Sequence, residues 1–355
     1  MAPRDDRLLA MLQKVAPGTS LREGIERIIR AGKGAILVLG TNSEVESMVS
    51  GGFRMNTKFT AQRLSEVAKM DGAIILDDDV EQILYANVHL VPDPSTQTSE
   101  TGTRHRTAER VARQTAVPVI SVSESMRIVS LYVDDLKHTL EEISSVLFRA
   151  NQALSTLERY RNRLDEVSSS LAALEIENIV TLRDVLSVIQ RVEMVERISD
   201  EVEAYVAELG VDGRLLQLQL DELMAGVEGE RALVVRDYIP DRRRKLETVL
   251  RALDGLEPSE LLDLRTLAVA LGFDISEDGM DQPVTARGYR LLSRIPRLPE
   301  RMTNRLVEKF GSLQRLMDAS LEDLDAVEGI GEARARSIKE GLARLAESSI
   351  FERYA

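Results

Sequence analysis

Two short stretches of this chain carry residue types and spacings that can do chemistry. The first is Asp71-Gly72, within "KMDGAIIL". A carboxylate at the mouth of a buried strand can hold a divalent cation, and a glycine beside it lets the backbone pass close to a ligand. Asp-Gly is also among the commonest turn dipeptides, so a plain turn is the competing reading. The second is "SETGTRHRTAERVAR", residues 99–113. Gly102 relieves backbone crowding, Thr103 and Thr107 bring hydroxyls, and Arg104 and Arg106 add forked donors suited to phosphate oxygens. A helix starting here would turn free N–H groups toward an anion. Arg106, Arg110 and Arg113 also share one helical face, and a solvated arginine-rich face is the alternative. Residue chemistry alone defines a phosphate-binding candidate, with Asp71 able to face it across a sheet edge.

The elements that must position these groups are legible in the flanking patterns. Leu21, Ile25, Ile28 and Ile29 recur at helical spacing behind Thr19 or Ser20 as N-cap. "GAILVLG" (34–40) and "AIIL" (73–76) are short apolar runs expected of buried strands. Thr60 caps a second helix, "AQRLSEVAKM". "QILYANVHLV" (82–91) reads as a strand, a helix runs through Arg113, and "VPVISVS" and "RIVSLYV" close the sheet at 133. Interleaved helices and strands, some neighbours lacking a crossover helix, predict an α/β domain with a mixed central sheet.

From Asp134 onward the strand pattern gives way to long amphipathic helices with charged outer faces, forming either a self-contained bundle or a surface for another copy. Gly210, Gly213, Gly226, Gly229 and Pro240 mark its turns. The last seventy or so residues are short helices with glycine hairpins. Within "VEGIGEARARSI" (327–338), Gly329-Ile330-Gly331 has the Gly-apolar-Gly form of a helix-hairpin-helix, framed by Val327, Ala333 and Ile338. Backbone N–H groups there can meet a DNA phosphate without reading sequence, with Arg334, Arg336 and Lys339 adding contacts. Contact with another protein is the alternative. "LPERMTNRLVEKFGSL" reads as a degenerate partner hairpin without the Gly-apolar-Gly signature. Domains are therefore expected at 1–133, 134–285 and 286–355.

Composition narrows the class. The 355 residues carry a formal net charge of −13, 43% hydrophobic and 30% charged residues, and no cysteine. Thiolate metal sites and disulfides are excluded, and a reducing cytosol is expected. "MAPRDDRLLAMLQKVAPGTS" lacks the apolar core of a signal peptide, and no window approaches the length of a membrane span. The acidic balance hides a local basic excess: residues 287–315 hold eight Arg and Lys against two Glu.

In combination and order, "DGA" (71–73) and "GTRHRTAER" (102–110) resemble the diadenylate cyclase family. "GAILVLG" and "GGF" (51–53) fall where its domain has similar elements, and the helical middle and hairpin tail resemble one architecture within it. The resemblance runs over essentially the whole chain and implies an α/β cyclase domain, an all-α helical spine and an all-α helix-hairpin-helix domain. It implies condensation of two ATP into cyclic di-AMP with release of two pyrophosphates, using Mg²⁺ or Mn²⁺. By resemblance Asp71 is the metal ligand and activates the 3′-hydroxyl, Gly72 lets the backbone approach, and Leu90 flanks the adenine. Thr103, Arg104, His105, Arg106 and Thr107 grip the phosphates, with Ser123 nearby. His105 acts as a phosphate donor in preference to a general acid or base. Face-to-face domains, an octamer, branched DNA such as Holliday junctions damping the cyclase through Gly329, Ile330, Gly331, Arg334 and Lys339, recombination proteins as partners, and a cytoplasmic, nucleoid-associated, membrane-free location complete the expectation. A nucleotide-holding DNA scaffold and an adenylyltransferase acting on a macromolecule are the rival readings.

Overall fold

A computed structural model describes residues 6–241, 244–274 and 279–354. The chain divides into two compact units. One contains the residues up to 152 together with 202–218, and the other contains 153–201 and the chain from 219 onward.

The first unit holds the strands β1 Ala35–Leu39, β2 Val49–Ser50, β3 Phe53–Lys58, β4 Ala73–Leu76, β5 Gln82–Leu90, β6 Val119–Val122, β7 Val129–Val133 and β8 Leu136–Leu140. Their order is β2-β5-β4-β1-β6-β7-β8, with β3 also on β5. β1 and β4 run parallel and the other pairs antiparallel, so the sheet is mixed as its pattern predicts. Helices α1 Asp6–Val15, α2 Ser20–Arg30, α3 Ser43–Met48, α4 Ala61–Val67 and α5 Thr103–Thr115 surround it. Thr19 and Thr60 cap α2 and α4 through side-chain oxygens, as expected.

The central strands are buried on both faces because each face meets helices. Leu37 and Leu39 share one core with Ile74, Leu76 and the α2 residues Ile25 and Ile28. Ile36 and Val38 share the other with Ile75, Val119 and, from α5, Ala108, Val111 and Ala112. The period of two thus fixes which way every central side chain points, and it clamps α5 to one face.

The apolar pattern ends the sheet at 133, but β8 pairs with β7 and carries it to Leu140. The short strand was concealed because "LKHTL" borders a long helical pattern, and Asp134 makes the intervening turn with φ 51°. Strands β2 and β3 were likewise read only as the "GGF" element.

Three helices follow, α6 Ile143–Glu177, α7 Leu182–Leu209 and α8 Arg214–Met224, each contributing to both units. The second unit adds α9 Glu230–Tyr238, α10 Leu246–Asp254, α11 Leu264–Leu271, α12 Tyr289–Ser293, α13 Glu300–Phe310, α14 Leu313–Asp318, α15 Leu321–Asp325 and α16 Glu332–Tyr354. At its centre Arg290 is fully buried, donating to Glu175 at 2.7 Å and to Glu230 at 3.3 Å. Asp237 accepts the backbone N–H groups of Gly288, Tyr289 and Arg290, capping α12 from α9. This ion cluster corrects the basic-patch expectation. Arg290 faces the core, and Arg287, Arg305 and Lys309 donate to backbone carbonyls, while Arg294, Arg297, Arg301 and Arg315 are exposed. Among the described residues no helix is long and apolar enough to cross a membrane.

Candidate active site and nucleic-acid interface

The topology places four pieces of chain at one end of the sheet. β1 and β4 begin there, β6 ends there, and α5 starts there. Asp71, Gly72, Gly102, Thr103, Arg104, His105, Ser123, Glu124 and Ser125 line a single cavity of about 780 Å³. The Asp71 carboxylate is fully exposed, 3.9 Å from the Arg104 guanidinium, and Glu124 lies 3.6 Å from the same group. Gly72 has φ +111°, and a Cβ there would meet the backbone of Asn87 and Val88 at 2.9 Å. Only glycine fits that close approach of β4 to β5.

Gly102 is the N-cap of α5 in extended geometry, and no side chain caps the helix. The first α5 amides therefore lack intrahelical acceptors and lie in the cavity wall beside the Arg104 guanidinium. The loop before α5 is held shut on the far side. Arg110 donates to the carbonyls of Thr96 and Pro94, and Arg113 to that of Gln97. These two arginines fasten the loop, so the shared arginine face splits between two tasks.

The sequence-predicted residues sort by position. Asp71, Gly72, Thr103, Arg104, His105 and Ser123 come together in the cavity wall. Thr107 spends its hydroxyl on the Thr103 carbonyl, steadying the first turn of α5. Arg106 is exposed on α5, and Leu90 packs in the core between sheet and α5 at the same end of the sheet. Gly34, Glu100, Glu124 and Tyr132 escaped the sequence reading. Glu100 and Glu124 sat in polar runs, and Tyr132 sat inside a strand that reads as plain core.

His105 is tied inward. Its Nδ1 lies 2.9 Å from the Tyr132 hydroxyl, which donates to Glu100 at 3.0 Å, and Lys137 pairs with Glu100. Burial pushes the imidazole below its ordinary range; Glu100 opposes this, while Lys137 and Arg104 add to it. Burial works to raise the Glu100 carboxyl, but the bonds from Lys137 and Tyr132 prevail and hold it low.

A divalent cation suits this donor set. Among the described residues no three His, Cys, Asp or Glu gather into a ready-made cage. The exposed Asp71 carboxylate, beside Arg104, opens on a cavity lined by phosphate donors, which matches Mg²⁺-type sites completed by water and substrate oxygens.

The tail presents a second geometry. Gly329 turns with φ +87°, Ile330 is buried, and a Cβ on Gly331 would touch nothing within 4 Å. Arg334 and Arg336 are exposed beyond it, and Arg334 closes the turn onto the Gly329 carbonyl. Lys339 is placed differently from the expectation: its ammonium donates to the Met317 and Ala319 carbonyls, closing the end of α14. Ala333 is exposed and Ala335 takes the core position. The partner hairpin begins earlier than the sequence reading placed it. Arg297, Leu298 and Pro299 stand 32 residues before Gly329, Ile330 and Gly331, and Arg297 adopts φ +61° where the later hairpin has glycine. The turn bonds repeat: Met302 and Thr303 donate to Pro299 as Arg334 and Ala335 do to Gly331. The tail therefore holds two hairpins of like backbone geometry, the earlier one without the glycines.

An α/β nucleotide-binding domain joined to a helix-hairpin-helix tail is the class these geometries define. Comparison with known proteins agrees. The family model for the DisA bacterial checkpoint controller nucleotide-binding region matches residues 22–136, its linker-region model 140–280, and a helix-hairpin-helix motif model 291–349. DNA integrity scanning protein DisA of Acidothermus cellulolyticus is 60% identical, over 99% of this chain and 96% of that protein. The proteins of that name from Streptomyces avermitilis and Frankia alni are 57% and 56% identical, each over 99% of this chain and 95% and 99% of their own. Among solved structures, DacA from Staphylococcus aureus is 20% identical with a TM-score of 0.31, covering 39% of this chain and 91% of that one. The chain belongs to the DNA integrity scanning protein DisA family. It is a diadenylate cyclase, acting on ATP to give cyclic di-AMP, with a DNA-binding helix-hairpin-helix domain.

Proposed function

We propose that cyclisation takes place at the cavity between Asp71 and the start of α5, and the convergence of those two elements carries the reading. The α5 amides, Thr103 and Arg104 hold the triphosphate, with Ser123 at the opposite wall and Thr107 bracing the turn. Arg106, exposed on α5, reaches the phosphates from the rim, and Leu90 backs the adenine side. Gly72 admits the ribose. Asp71 would hold Mg²⁺ or Mn²⁺, whose Lewis acidity favours loss of the 3′-hydroxyl proton and offsets charge on the α-phosphate. The 3′-oxygen of one ATP bonds to the α-phosphorus of the other, the bond to the β-phosphate oxygen breaks, and pyrophosphate leaves. The reciprocal attack closes the ring. Positioning and charge stabilisation carry most of such a transfer.

This cavity accounts for one ATP per chain, so two domains must face each other, and the long helices α6 and α7 supply a frame for an octamer. The tail binds branched DNA such as Holliday junctions through the Gly329–Gly331 hairpin and Arg334, slows the cyclase, and places the protein at the nucleoid among recombination proteins. Specific activity measured on dilution should collapse as chains separate. Four-way junctions should lower turnover more than equal-length duplex. Activity independent of concentration would refute the pairing, and indifference to junctions would refute the regulation.

A further inference from the structure

We propose that Glu100 and Tyr132 fix His105 as a hydrogen-bond acceptor toward ATP, not as a phosphate donor. The inference rests on the cavity being the ATP site. Tyr132 owns one hydroxyl proton and gives it to Glu100 at 3.0 Å. Glu100 is an acceptor, because Lys137 keeps it a carboxylate. The tyrosine oxygen, which also has a hydrogen bond with the Ser130 side chain, must then accept from Nδ1 of His105, at 2.9 Å. That bond puts the imidazole proton on Nδ1 and leaves Nε2 bare, since the partner of one ring nitrogen decides the state of the other. The charged and titratable groups facing this ring are Glu100, Tyr132, Lys137 and Arg104. Lys137 and Arg104, with burial, disfavour a second proton. His105 lines the cavity, and its Nε2 has no partner among the described residues.

A bare Nε2 cannot donate to a phosphate oxygen. It accepts, and the donors ATP carries at neutral pH are its ribose hydroxyls and the adenine amino group. With the cation assigned to Asp71, His105 touches the nucleoside part of ATP, while Glu100 and Tyr132 are positioning residues acting through it. Tyr132 is buried at 1% exposure, so the middle of the relay is built into the core.

The protein has three histidines, which makes the test direct. Nitrogen-15 NMR of histidine-labelled, ligand-free full-length protein, with His105→Gln to assign the signal, should show a protonated Nδ1 and an unprotonated Nε2. Tyr132→Phe should populate the Nε2–H form, and Glu100→Ala should do the same by freeing the tyrosine proton for Nδ1. The second variant keeps the test valid should Tyr132→Phe not fold. An Nε2–H signal in the wild type, or a tautomer unmoved in a folded variant, overturns the proposal. Tyr132→Phe should weaken ATP binding about ten-fold. That ratio should fall to one for whichever analogue lacks the recognised donor, 2′-deoxy-ATP, 3′-deoxy-ATP or purine riboside triphosphate. A ratio that persists with all three overturns it. Failure of the wild type to bind ATP would refute the site itself while leaving the ligand-free tautomer measurement standing.

Discussion

Arg104 lies against Gly34: a Cβ added to the glycine would sit 2.6 Å from the guanidinium Nη1 and 3.1 Å from the Val122 carbonyl oxygen. The start of β1 thus makes room for the side chain that spans from α5 to Asp71. Gly34→Ala must push the guanidinium aside, and its flexible end can yield while the fold holds. We expect the ATP dissociation constant to rise roughly ten-fold, about 1.4 kcal/mol, with little change in Tm. Calorimetric titration beside thermal melting checks both.

Gly72 should respond differently, because its obstacle is backbone. At φ +111° with Asn87 and Val88 2.9 Å away, Gly72→Ala has nowhere to move. It should cost about 1–3 kcal/mol in strain and lower Tm together with activity. Gly32→Ala, at φ +63° with nothing within 4 Å, isolates backbone strain without a clash and should cost about 1–2 kcal/mol with activity retained.

In the tail, Arg334 and Lys339 should part company. Arg334→Ala should weaken DNA binding and reduce the magnitude of the salt-dependence slope by about one, the mark of a lost phosphate contact. Lys339 donates to the carbonyls of Met317 and Ala319, so Lys339→Ala should lower stability by about 1 kcal/mol and leave the slope unchanged. Fluorescence anisotropy over a salt series separates the two.

The buried cluster predicts a pH dependence of stability. Burial pushes the Asp237 carboxyl up to about 7, with Glu175 adding to it and three backbone N–H groups opposing. The folded state holds a proton that the unfolded chain releases near the ordinary carboxylate range. Stability from this group is therefore full below that range and is lost as pH rises through 7. Tm should fall between pH 5 and 8, and Asp237→Asn should flatten that slope. Arg290→Ala, which strands Glu175, should destabilise by about 3–5 kcal/mol at any of these pH values.

Much of the candidate site's cavity wall could be read from residues because its groups sit in continuous strings. "DGA" and "GTRHRT" carry carboxylate, glycine and forked donors at fixed spacing, and the apolar period of two around them gives the mixed sheet. What stayed hidden depends on distance through space. Glu100 and Tyr132 are 32 residues apart and meet only because α5 packs on β7. Arg290 reads as surface charge until α6 and α9 bring Glu175 and Glu230 to it. Lys339 follows a hairpin signature yet serves α14, and the earlier hairpin, legible only in degenerate form, turns on Arg297 in a backbone conformation that sequence associates with glycine.

The most direct test is to incubate the purified protein with ATP and Mg²⁺ or Mn²⁺ beside Asp71→Asn, and to resolve products by chromatography with mass detection. Cyclic di-AMP should form with the wild type and none with the variant, which should remain folded and still bind ATP. Equal product from both would contradict the role given to Asp71.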